Sequence, residues 1–157
     1  MIRIGHGYDV HAFGGDKPLI LGGLVFKDHQ GLIAHSDGDV LLHSICDSLL
    51  GAASLRDIGY HFPDTDKQYA NANSLALLSQ VLLLLQTKNY KINNLDITVI
   101  AQTPIMSDHI ENITDNICRT LSINIEQCNV KATTTEHLGY IGRKEGIAVH
   151  CVCLIEC

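Results

Sequence analysis

The sequence predicts an α/β protein with one mixed β-sheet and helices packed against it. Segments with alternating or β-branched apolar residues predict strands, and segments with apolar residues three and four apart predict helices between them. The 157-residue length fits a single domain spanning residues 1–157. A hydrophobic content of 46% with 18% charged residues is typical of a soluble globular protein.

The first half of the chain is predicted to form strands and then two helices. An extended pattern from Ile2 to His11 favours a strand, and "PLILGGLVF" predicts a hairpin that turns at Gly22-Gly23. Apolar spacing predicts a helix from Ser36 to Leu50, with a near capping box at Ser36 and Gly51 at its other end. The turn-rich "HFPDTDKQYANAN" predicts a loop. The leucine-rich segment from Ser74 to Lys88 predicts a buried helix.

The second half is predicted to alternate between strands and one helix. "NLDITVIA" has the alternation of a strand, and a helix is expected to open at Pro104 and run to about Leu121. "NVKATTTEH" and "GIAVHCVCLIE" predict two further strands, joined by the glycine-rich "LGYIGRKEG". Strands and helices in this order place the helices on the faces of one sheet.

Charge, hydropathy and cysteine usage narrow the function classes. A net charge of −6 without a run of Lys or Arg argues against nucleic acid as a partner. The longest apolar run, Val81 to Leu85, is too short to span a membrane, and without an apolar leader we expect a bacterial cytoplasmic protein, whereas plastid relatives would carry a transit peptide. The six cysteines lack a C-x-x-C spacing, so Cys151 and Cys153 are interpreted as small core residues rather than metal ligands.

Histidines and aspartates are concentrated near the amino terminus. Asp9 and His11 are two residues apart on a predicted strand and therefore point the same way. Asp39, His43 and Asp47 are four apart and would form a stripe along the first helix. A carboxylate with two imidazoles suits Zn²⁺ with an open fourth position, and Asp47 would hold the second ring nitrogen of His43. The alternative is that these histidines cap the helix or are solvated.

A second polar cluster lies in "RDIGYHFPDTD". Its three acids, Asp57, Asp64 and Asp66, could ligate calcium. The regular alternation of an EF-hand loop is missing, so a solvated loop is the default interpretation.

A third cluster, "KATTTEHLGYIGRKEG", ends a predicted strand. Thr133, Thr134 and Glu136 there could meet phosphate oxygens and a hard cation, although threonines are also ordinary strand formers. Arg143, in a glycine-rich turn, has the chemistry to bind an anion, although exposed arginines are common.

Three long motifs together resemble one enzyme family. "RIGHGYDVHAF", "HSDGDVLLHSICDSLLGAASLRDIGYHFPDTD" and "NVKATTTEHLGYIGRKEGIA" are similar to the 2-C-methyl-D-erythritol 2,4-cyclodiphosphate synthases of the non-mevalonate isoprenoid pathway, in order, from residue 2 to about 150. The resemblance implies a homotrimer of α/β subunits with active sites between neighbours. It implies a metal-dependent phosphorus–oxygen lyase that cyclises 4-diphosphocytidyl-2-C-methyl-D-erythritol 2-phosphate and releases CMP.

The resemblance also implies roles for particular residues. Asp9, His11 and His43 would be the Zn²⁺ ligands at the substrate diphosphate, and Glu136 would hold a second divalent ion, Mg²⁺ or Mn²⁺. His35 and Thr134 would steady the transition state, and Ser36 would contact a phosphate. The methylerythritol moiety would meet Asp57, Ile58, Gly59, Phe62, Pro63, Asp64, Thr65 and Asp66. The cytidine pocket and its surroundings would include Ala101, Gln102, Thr103, Pro104, Ile105, Met106, Ser107, Thr133, Thr134, Thr135 and Glu136, with Tyr140 and Arg143 as further substrate-binding residues.

The chain departs from the family pattern at three positions, and two other function classes stay open. Ile105 stands where relatives often have lysine, His137 where Lys or Arg is common, and Tyr140 where Phe is frequent, which puts nucleotide affinity in question. A zinc hydrolase would use the same metal site but form no cyclic product. A non-catalytic role would bind an isoprenoid diphosphate in the central cavity of the trimer, near Arg143 and Glu145.

Overall fold

The computed structural model describes residues 1–63, 65–69 and 71–157. Its strands are β1 (Ile2–Leu21), β2 (Leu24–Leu32), β3 (Lys91–Ile100), β4 (Cys128–Thr133) and β5 (Gly146–Glu156). Its α-helices are α1 (Val40–Ala52), α2 (Ile58–His61), α3 (Ser74–Thr87), α4 (Ile110–Leu121) and α5 (Gly139–Gly142). Short 3₁₀ turns lie at Lys67–Tyr69, Ser107–His109 and Ile125–Gln127.

The five strands form one mixed sheet in the order β2-β1-β5-β3-β4. β1 pairs antiparallel with β2 and β5, β5 pairs antiparallel with β3, and β3 pairs parallel with β4. The predicted fold class is therefore confirmed for the described chain. The parallel pair requires a crossover, and α4 supplies it, because β3 and β4 run in the same direction.

Strand β1 is longer than the sequence indicates. The prediction ended a first strand at His11 and began another at Pro18, but the structure has one strand of 20 residues. Its first part, up to Ala12, pairs with β5, and its second part, from Phe13, pairs with β2. The pairing with β2 has register shifts between Phe13 and Leu19, whereas the pairing with β5 is regular. The predicted hairpin is confirmed, and both turn residues, Gly22 and Gly23, have positive φ as a two-residue I′ turn requires.

Helix α1 begins later than predicted. Asp39, not Ser36, is the N-cap, and its side chain accepts from Leu42 N. The same carboxylate accepts from the backbone N–H groups of Gly22 and Gly23 in the hairpin turn. A tertiary contact therefore fixes the helix start, and Asp39 is fully buried instead of joining a polar stripe with His43. Burial raises the pKa of Asp39 to about 6, although the three N–H groups oppose that rise.

The end of α1 also differs from the prediction. Gly51 lies inside the helix, and Ala53 is the C-cap residue, whose N–H bonds to Gly51 and Leu49 carbonyls. Apart from the adjacent backbone of the helix itself, no atom lies within 4 Å of the position that a Cβ at Gly51 would occupy. Gly51 is therefore a helical residue facing open space, not a stop signal. The other long predicted helix, α3, is confirmed from Ser74, with Lys88 as its C-cap.

Glycines in β1 bring α1 unusually close to the sheet. A Cβ added to Gly5 would lie 1.9 Å from the Ser48 carbonyl oxygen, and one added to Gly7 would lie 1.9 Å from that of Ser44. Any larger residue at these positions would push the helix backbone away from the strand. The alternation of β1 places Asp9 on the same face as Gly5 and Gly7, so this close approach brings α1 to the functional residues.

The last helix and the strand after it also correct the prediction. The chain does not become helical at Pro104. The segment 101–106 is irregular, with Pro104 and Met106 buried, and α4 begins only at Ile110, after a 3₁₀ turn. Strand β4 ends at Thr133 rather than His137. Glu136 and His137 both have positive φ, and this backbone conformation is incompatible with a continued strand.

The sheet has one covered face and one uncovered face. Along β5, alternate residues from Ile147 to Ile155 are fully buried against the helices, and Cys151 and Cys153 are among them, as predicted for core residues. The opposite face keeps large apolar side chains exposed: Ile2, Ile4, Tyr8, Val10 and Val152. No helix in the described part of the chain is long and apolar enough to cross a membrane.

Candidate active site

Asp9, His11 and His43 converge on one point. Asp9 Oδ2 lies 2.9 Å from His11 Nε2 and 3.1 Å from His43 Nδ1. One oxygen and two nitrogens from these residues all lie within 4.8 Å of one another, the only such potential metal-ligand group in the described residues. The structure thus brings together the three residues that the sequence predicts as metal ligands. Strand β1 supplies two of them, and α1 supplies the third.

Within this cluster, hydrogen bonds and charges shift the pKa values of Asp9 and His11 toward their charged forms. Burial alone would raise the pKa of Asp9, but hydrogen bonds from His11 and His43 outweigh it and lower that pKa to about 2. Burial lowers the pKa of His11, but its hydrogen bond to Asp9, the negative charge of Asp9 and the contact with the Ile33 carbonyl together outweigh burial, so the net pKa is raised. The carboxylate is therefore ionised at neutral pH, which a ligand of a cation requires.

The outer nitrogens of both imidazoles also have partners. His11 Nδ1 lies 3.0 Å from the Ile33 carbonyl oxygen, and His43 Nε2 lies 3.1 Å from Ser74 Oγ. The expectation that Asp47 holds His43 is wrong. Asp47 Oδ1 instead accepts the Ile58 N–H at 2.8 Å and so fixes the start of α2.

A cavity of about 600 Å³ opens beside the cluster. Its lining includes the sequence-predicted residues Asp9, His11, His35, Ser36, His43, Ile58, Gly59 and Phe62. Tyr69 and Leu77 also line it, and the sequence predicted no role for either, because neither belongs to one of the clusters of potential ligands. The cavity is therefore lined both by the charged potential metal ligands and by apolar side chains.

The acidic loop contributes less to this cavity than the sequence indicates. Asp57 caps α2 by accepting the Tyr60 N–H at 2.8 Å, and Asp66 accepts from Gln68. Of the described residues Pro63, Thr65 and Asp66, none lines the cavity. The prediction for Asp64 falls outside the described residues. The described acids of this loop form no calcium-binding cluster, because each carboxylate bonds to its own turn.

A second cavity, of about 320 Å³, lies at the carboxyl ends of β3 and β4. It brings together the sequence-predicted residues Ala101, Gln102, Pro104, Ile105, Met106, Ser107, Thr133 and Thr134. Thr103, Thr135 and Glu136 are not part of its lining. Its rim is open, and Ile105 is 80% exposed.

Residues 134–137 form a turn beside this second cavity. The Glu136 N–H donates to Thr134 Oγ1 at 3.2 Å, and the His137 N–H donates to Gln102 Oε1 at 3.3 Å. The Thr134 and Glu136 side chains are exposed. The turn therefore points a hydroxyl and a carboxylate outward from the end of β4.

The two cavities share no lining residue. In the sheet register, Asp9 pairs with Val149, Val149 with Val99, and Val99 with Ala132 of the second cavity. Three strand spacings separate the ends of this row, or roughly 14 Å.

Tyr140 and Arg143 lie away from both of these cavities. The Tyr140 hydroxyl is 3.1 Å from that of Tyr8 on the uncovered sheet face, where both residues line a third cavity of about 400 Å³. Arg143 Nε donates to Glu145 at 2.8 Å on the surface. The structure therefore places Tyr140 on the uncovered face and Arg143 on the surface, and neither lines the cavity at the metal-ligand cluster.

The whole chain is similar to proteins of known family. The model of the YgbB family matches residues 2–156. The 2-C-methyl-D-erythritol 2,4-cyclodiphosphate synthase of Idiomarina loihiensis is 57% identical over 155 residues, covering 99% of this chain and 98% of that protein. The protein of the same name from Haemophilus influenzae strain PittEE is 59% identical with the same coverage.

Solved structures give the same result. The bifunctional IspDF from Campylobacter jejuni superposes with a TM-score of 0.95 at 48% identity, covering 99% of this chain and 42% of that one. IspF from Plasmodium falciparum, in a CDP complex, superposes with a TM-score of 0.86 at 43% identity, covering 98% of this chain and 95% of that one. Fold, site geometry and sequence identity therefore agree that this chain belongs to the YgbB family.

Proposed function

We propose that this protein converts 4-diphosphocytidyl-2-C-methyl-D-erythritol 2-phosphate into 2-C-methyl-D-erythritol 2,4-cyclodiphosphate and CMP. The observation that carries this proposal is the Asp9–His11–His43 cluster, which opens into a cavity with His35 and Ser36 at its wall. Relatives more than half identical over their whole length bear the name of this activity. Two cavities, one beside a potential cation site and one at the strand ends, suit a substrate with a phosphorylated polyol and a nucleotide.

The residues of the cluster fit a divalent metal, and we assign Zn²⁺. The donor set is one carboxylate oxygen and two imidazole nitrogens, and the outer nitrogen of each imidazole is already hydrogen-bonded. Three protein ligands with an open fourth position are typical of catalytic zinc. When bound, the ion supplies positive charge and a fixed anchor for the substrate diphosphate.

The reaction asks the protein for alignment more than for proton transfer. An oxygen of the substrate's 2-phosphate attacks the β-phosphorus, and the bond from that phosphorus to the oxygen of CMP breaks. The attacking phosphate is already anionic at neutral pH, so no side chain has to deprotonate it. Phosphoryl transfer depends mainly on positioning and charge stabilisation. His35 and Ser36, beside the cluster, would hold the phosphates in line.

The second cavity would bind the cytidine end. Residues 101, 102 and 104–107 line it together with Thr133 and Thr134. The CDP complex of the Plasmodium falciparum relative supports a nucleotide ligand for the family fold. Ile105 offers an apolar surface at this site instead of a charge, so we expect weaker contact with the nucleotide phosphate than a lysine would give.

Glu136 would hold a second divalent ion, Mg²⁺ or Mn²⁺. Its carboxylate is exposed at the turn after β4, and a carboxylate can approach a diphosphate only with a cation between them. Mg²⁺ commonly takes one or two carboxylates and completes its shell with water and phosphate oxygens. One protein carboxylate is therefore sufficient, and this ion would arrive together with the substrate.

We further propose that the protein works as a homotrimer with sites between subunits. The uncovered sheet face leaves Ile2 and Ile4 more than two thirds exposed, at 67% and 69%. Several large apolar side chains exposed on one sheet face are typical of an interface between copies. A neighbouring copy could also bring its second cavity to the metal cavity, which one chain keeps separate. The same face holds the Tyr8–Tyr140 cavity, where an isoprenoid diphosphate would be an added partner.

Phosphorus NMR on the zinc-loaded protein with Mg²⁺ tests the activity. We expect the substrate resonances to be replaced by those of a cyclic diphosphate and CMP in equal amounts. A zinc hydrolase would release inorganic phosphate or an open diphosphate instead, and a purely binding protein would leave the substrate unchanged. Either of these spectra would overturn the proposed function.

A further inference from the structure

The two histidines of the cluster present different ring nitrogens to Asp9. His11 turns Nε2 toward Asp9 Oδ2, whereas His43 turns Nδ1 toward the same oxygen. A neutral imidazole carries its proton on only one nitrogen, and only the other can bind a metal. The two residues must therefore be held in opposite tautomers.

For His11 the backbone sets the tautomer. Its Nδ1 lies 3.0 Å from the Ile33 carbonyl oxygen, which can only accept a hydrogen bond. With a metal bound, the proton is then on Nδ1, and Nε2 would give up its hydrogen bond to Asp9 and offer its lone pair to the cluster. No side chain is needed for this arrangement.

For His43 the partner is a side-chain hydroxyl, so the partner alone does not fix the direction of the hydrogen bond. Nε2 lies 3.1 Å from the hydroxyl oxygen of Ser74, which can donate or accept. Ser74 is fully buried at the first residue of α3, so no solvent contact decides its direction. The direction depends on the next group along the network.

That next group is the carboxylate of Asp37. The Ser74 hydroxyl donates to Asp37 Oδ1, and the Ser74 backbone N–H donates to Oδ2 at 2.8 Å. Asp37 Oδ1 also accepts the Asp39 N–H at 3.1 Å. A carboxylate at the amino end of α3 is favoured by the helix dipole and accepts only. Ser74 must therefore donate to Asp37, which leaves its oxygen free to accept from His43 Nε2–H.

We propose that Asp37 and Ser74 are positioning residues that fix the tautomer and ring orientation of His43 and so raise the metal affinity of the cluster. The inference rests on the proposed function only in taking His43 as a metal ligand. This hydrogen-bonded relay, Asp37–Ser74–His43, joins three separate elements: the loop before α1, the start of α3 and α1 itself. Partners of this kind on the outer side of metal-bound histidines commonly change metal affinity 10- to 100-fold.

Removal of the Ser74 hydroxyl should leave the fold intact. Ser36 Oγ lies 3.3 Å from His43 Nε2 and remains as a second, poorer partner. The helix start also keeps Asn73 as its N-cap, which accepts the Leu75 N–H. Ser74→Ala therefore changes what holds His43 without leaving a buried N–H unpaired.

Zinc affinity, measured by competition with a chromophoric chelator, tests the relay without any turnover. We expect the dissociation constant to rise about 10- to 100-fold in Ser74→Ala. Asp37→Asn should give a rise of the same order, because a carboxamide has one acceptor oxygen where Asp37 uses two. Ser44→Ala is the control, since Ser44 is equally buried and its hydroxyl bonds only to the Leu41 carbonyl. Its zinc affinity should match wild type, and circular dichroism should show all variants folded.

Long-range ¹H–¹⁵N correlation spectra of histidine-labelled, zinc-loaded protein supply the second readout. We expect His43 protonated at Nε2 and His11 protonated at Nδ1, and a mixed His43 signal in Ser74→Ala. Wild-type zinc affinity in Ser74→Ala, or a His43 protonated at Nδ1 in the wild type, would overturn the relay. If zinc binds with these tautomers but no cyclic product forms, the relay stands and the proposed function fails.

Discussion

The proposed site has a metal half, formed by Asp9, His11 and His43, and a nucleotide half, formed by residues 101–107 and 133–136. The two halves differ in how far a single chain encloses their residues. The His43 and His11 side chains are 12% and 17% exposed, and hydrogen bonds hold both rings from two sides. In the nucleotide half, Ile105 is 80% exposed, and Glu136 reaches solvent from a turn. One chain can therefore pre-organise the metal ligands, whereas the nucleotide half depends on the substrate or on a neighbouring copy for its final surroundings.

Loss of a metal ligand should give the largest effect. His43→Ala removes one of three donors, and we expect zinc content to fall to near zero and turnover to fall on the order of a thousandfold or more. Elemental analysis and the cyclisation assay measure the two effects, and size-exclusion chromatography should show an unchanged oligomer. His29→Ala, on the hairpin, is the control and should keep its zinc. Full zinc occupancy in His43→Ala would remove this residue from the ligand set.

The nucleotide half should respond without any change in zinc. Thr134→Val keeps the shape of the side chain and removes one hydroxyl, so we expect kcat to fall roughly ten- to a thousandfold, the range for one lost transition-state donor. The hydroxyl is exposed and accepts only the Glu136 N–H, so the melting temperature should barely move. An unchanged kcat would assign Thr134 to the structure of the turn.

A smaller effect is expected for the second cation. Glu136→Gln should raise the Mg²⁺ concentration needed for half-maximal activity about tenfold, the size of one lost charge-assisted contact. Titration of Mg²⁺ into zinc-loaded wild type and variant measures this directly. Glu136→Gln should leave zinc affinity at the wild-type value, so the experiment distinguishes an effect on the nucleotide half from an effect on the metal half. Superimposable Mg²⁺ curves would remove Glu136 from the mechanism.

The smallest effects are expected for the packing of α1 against β1, the two elements that carry the metal ligands. Gly7→Ala places a Cβ against the Ser44 carbonyl, so α1 must shift, and we expect a loss of about 1–3 kcal/mol in the free energy of unfolding. Zinc affinity should fall as well, because α1 carries His43. Gly51→Ala, in the same helix but facing open space, should instead gain about 0.5–1 kcal/mol. Urea unfolding of both variants checks the difference, and equal effects would show that the close approach at Gly7 is unimportant.

Several features were determined by the sequence alone. The D-x-H spacing places Asp9 and His11 on one side of a strand, because the pleat repeats every two residues. The Gly22-Gly23 hairpin, the α3 helix and strand β5 follow from local turn chemistry and apolar periodicity. The family resemblance also rests on sequence, since its motifs are long and ordered. Each of these features depends on interactions between residues close together in the chain.

Other features were decided only by the tertiary structure. The start of α1 moves from Ser36 to Asp39 because the hairpin turn offers two N–H groups to the Asp39 carboxylate, 16 and 17 residues away in the chain. The partner of His43 is Ser74 rather than Asp47, because α3 packs beside α1 and the Asp47 carboxylate bonds to Ile58. Hydrogen bonds between distant residues have no periodicity in the sequence. The packing of helices on the sheet therefore selects which polar groups meet.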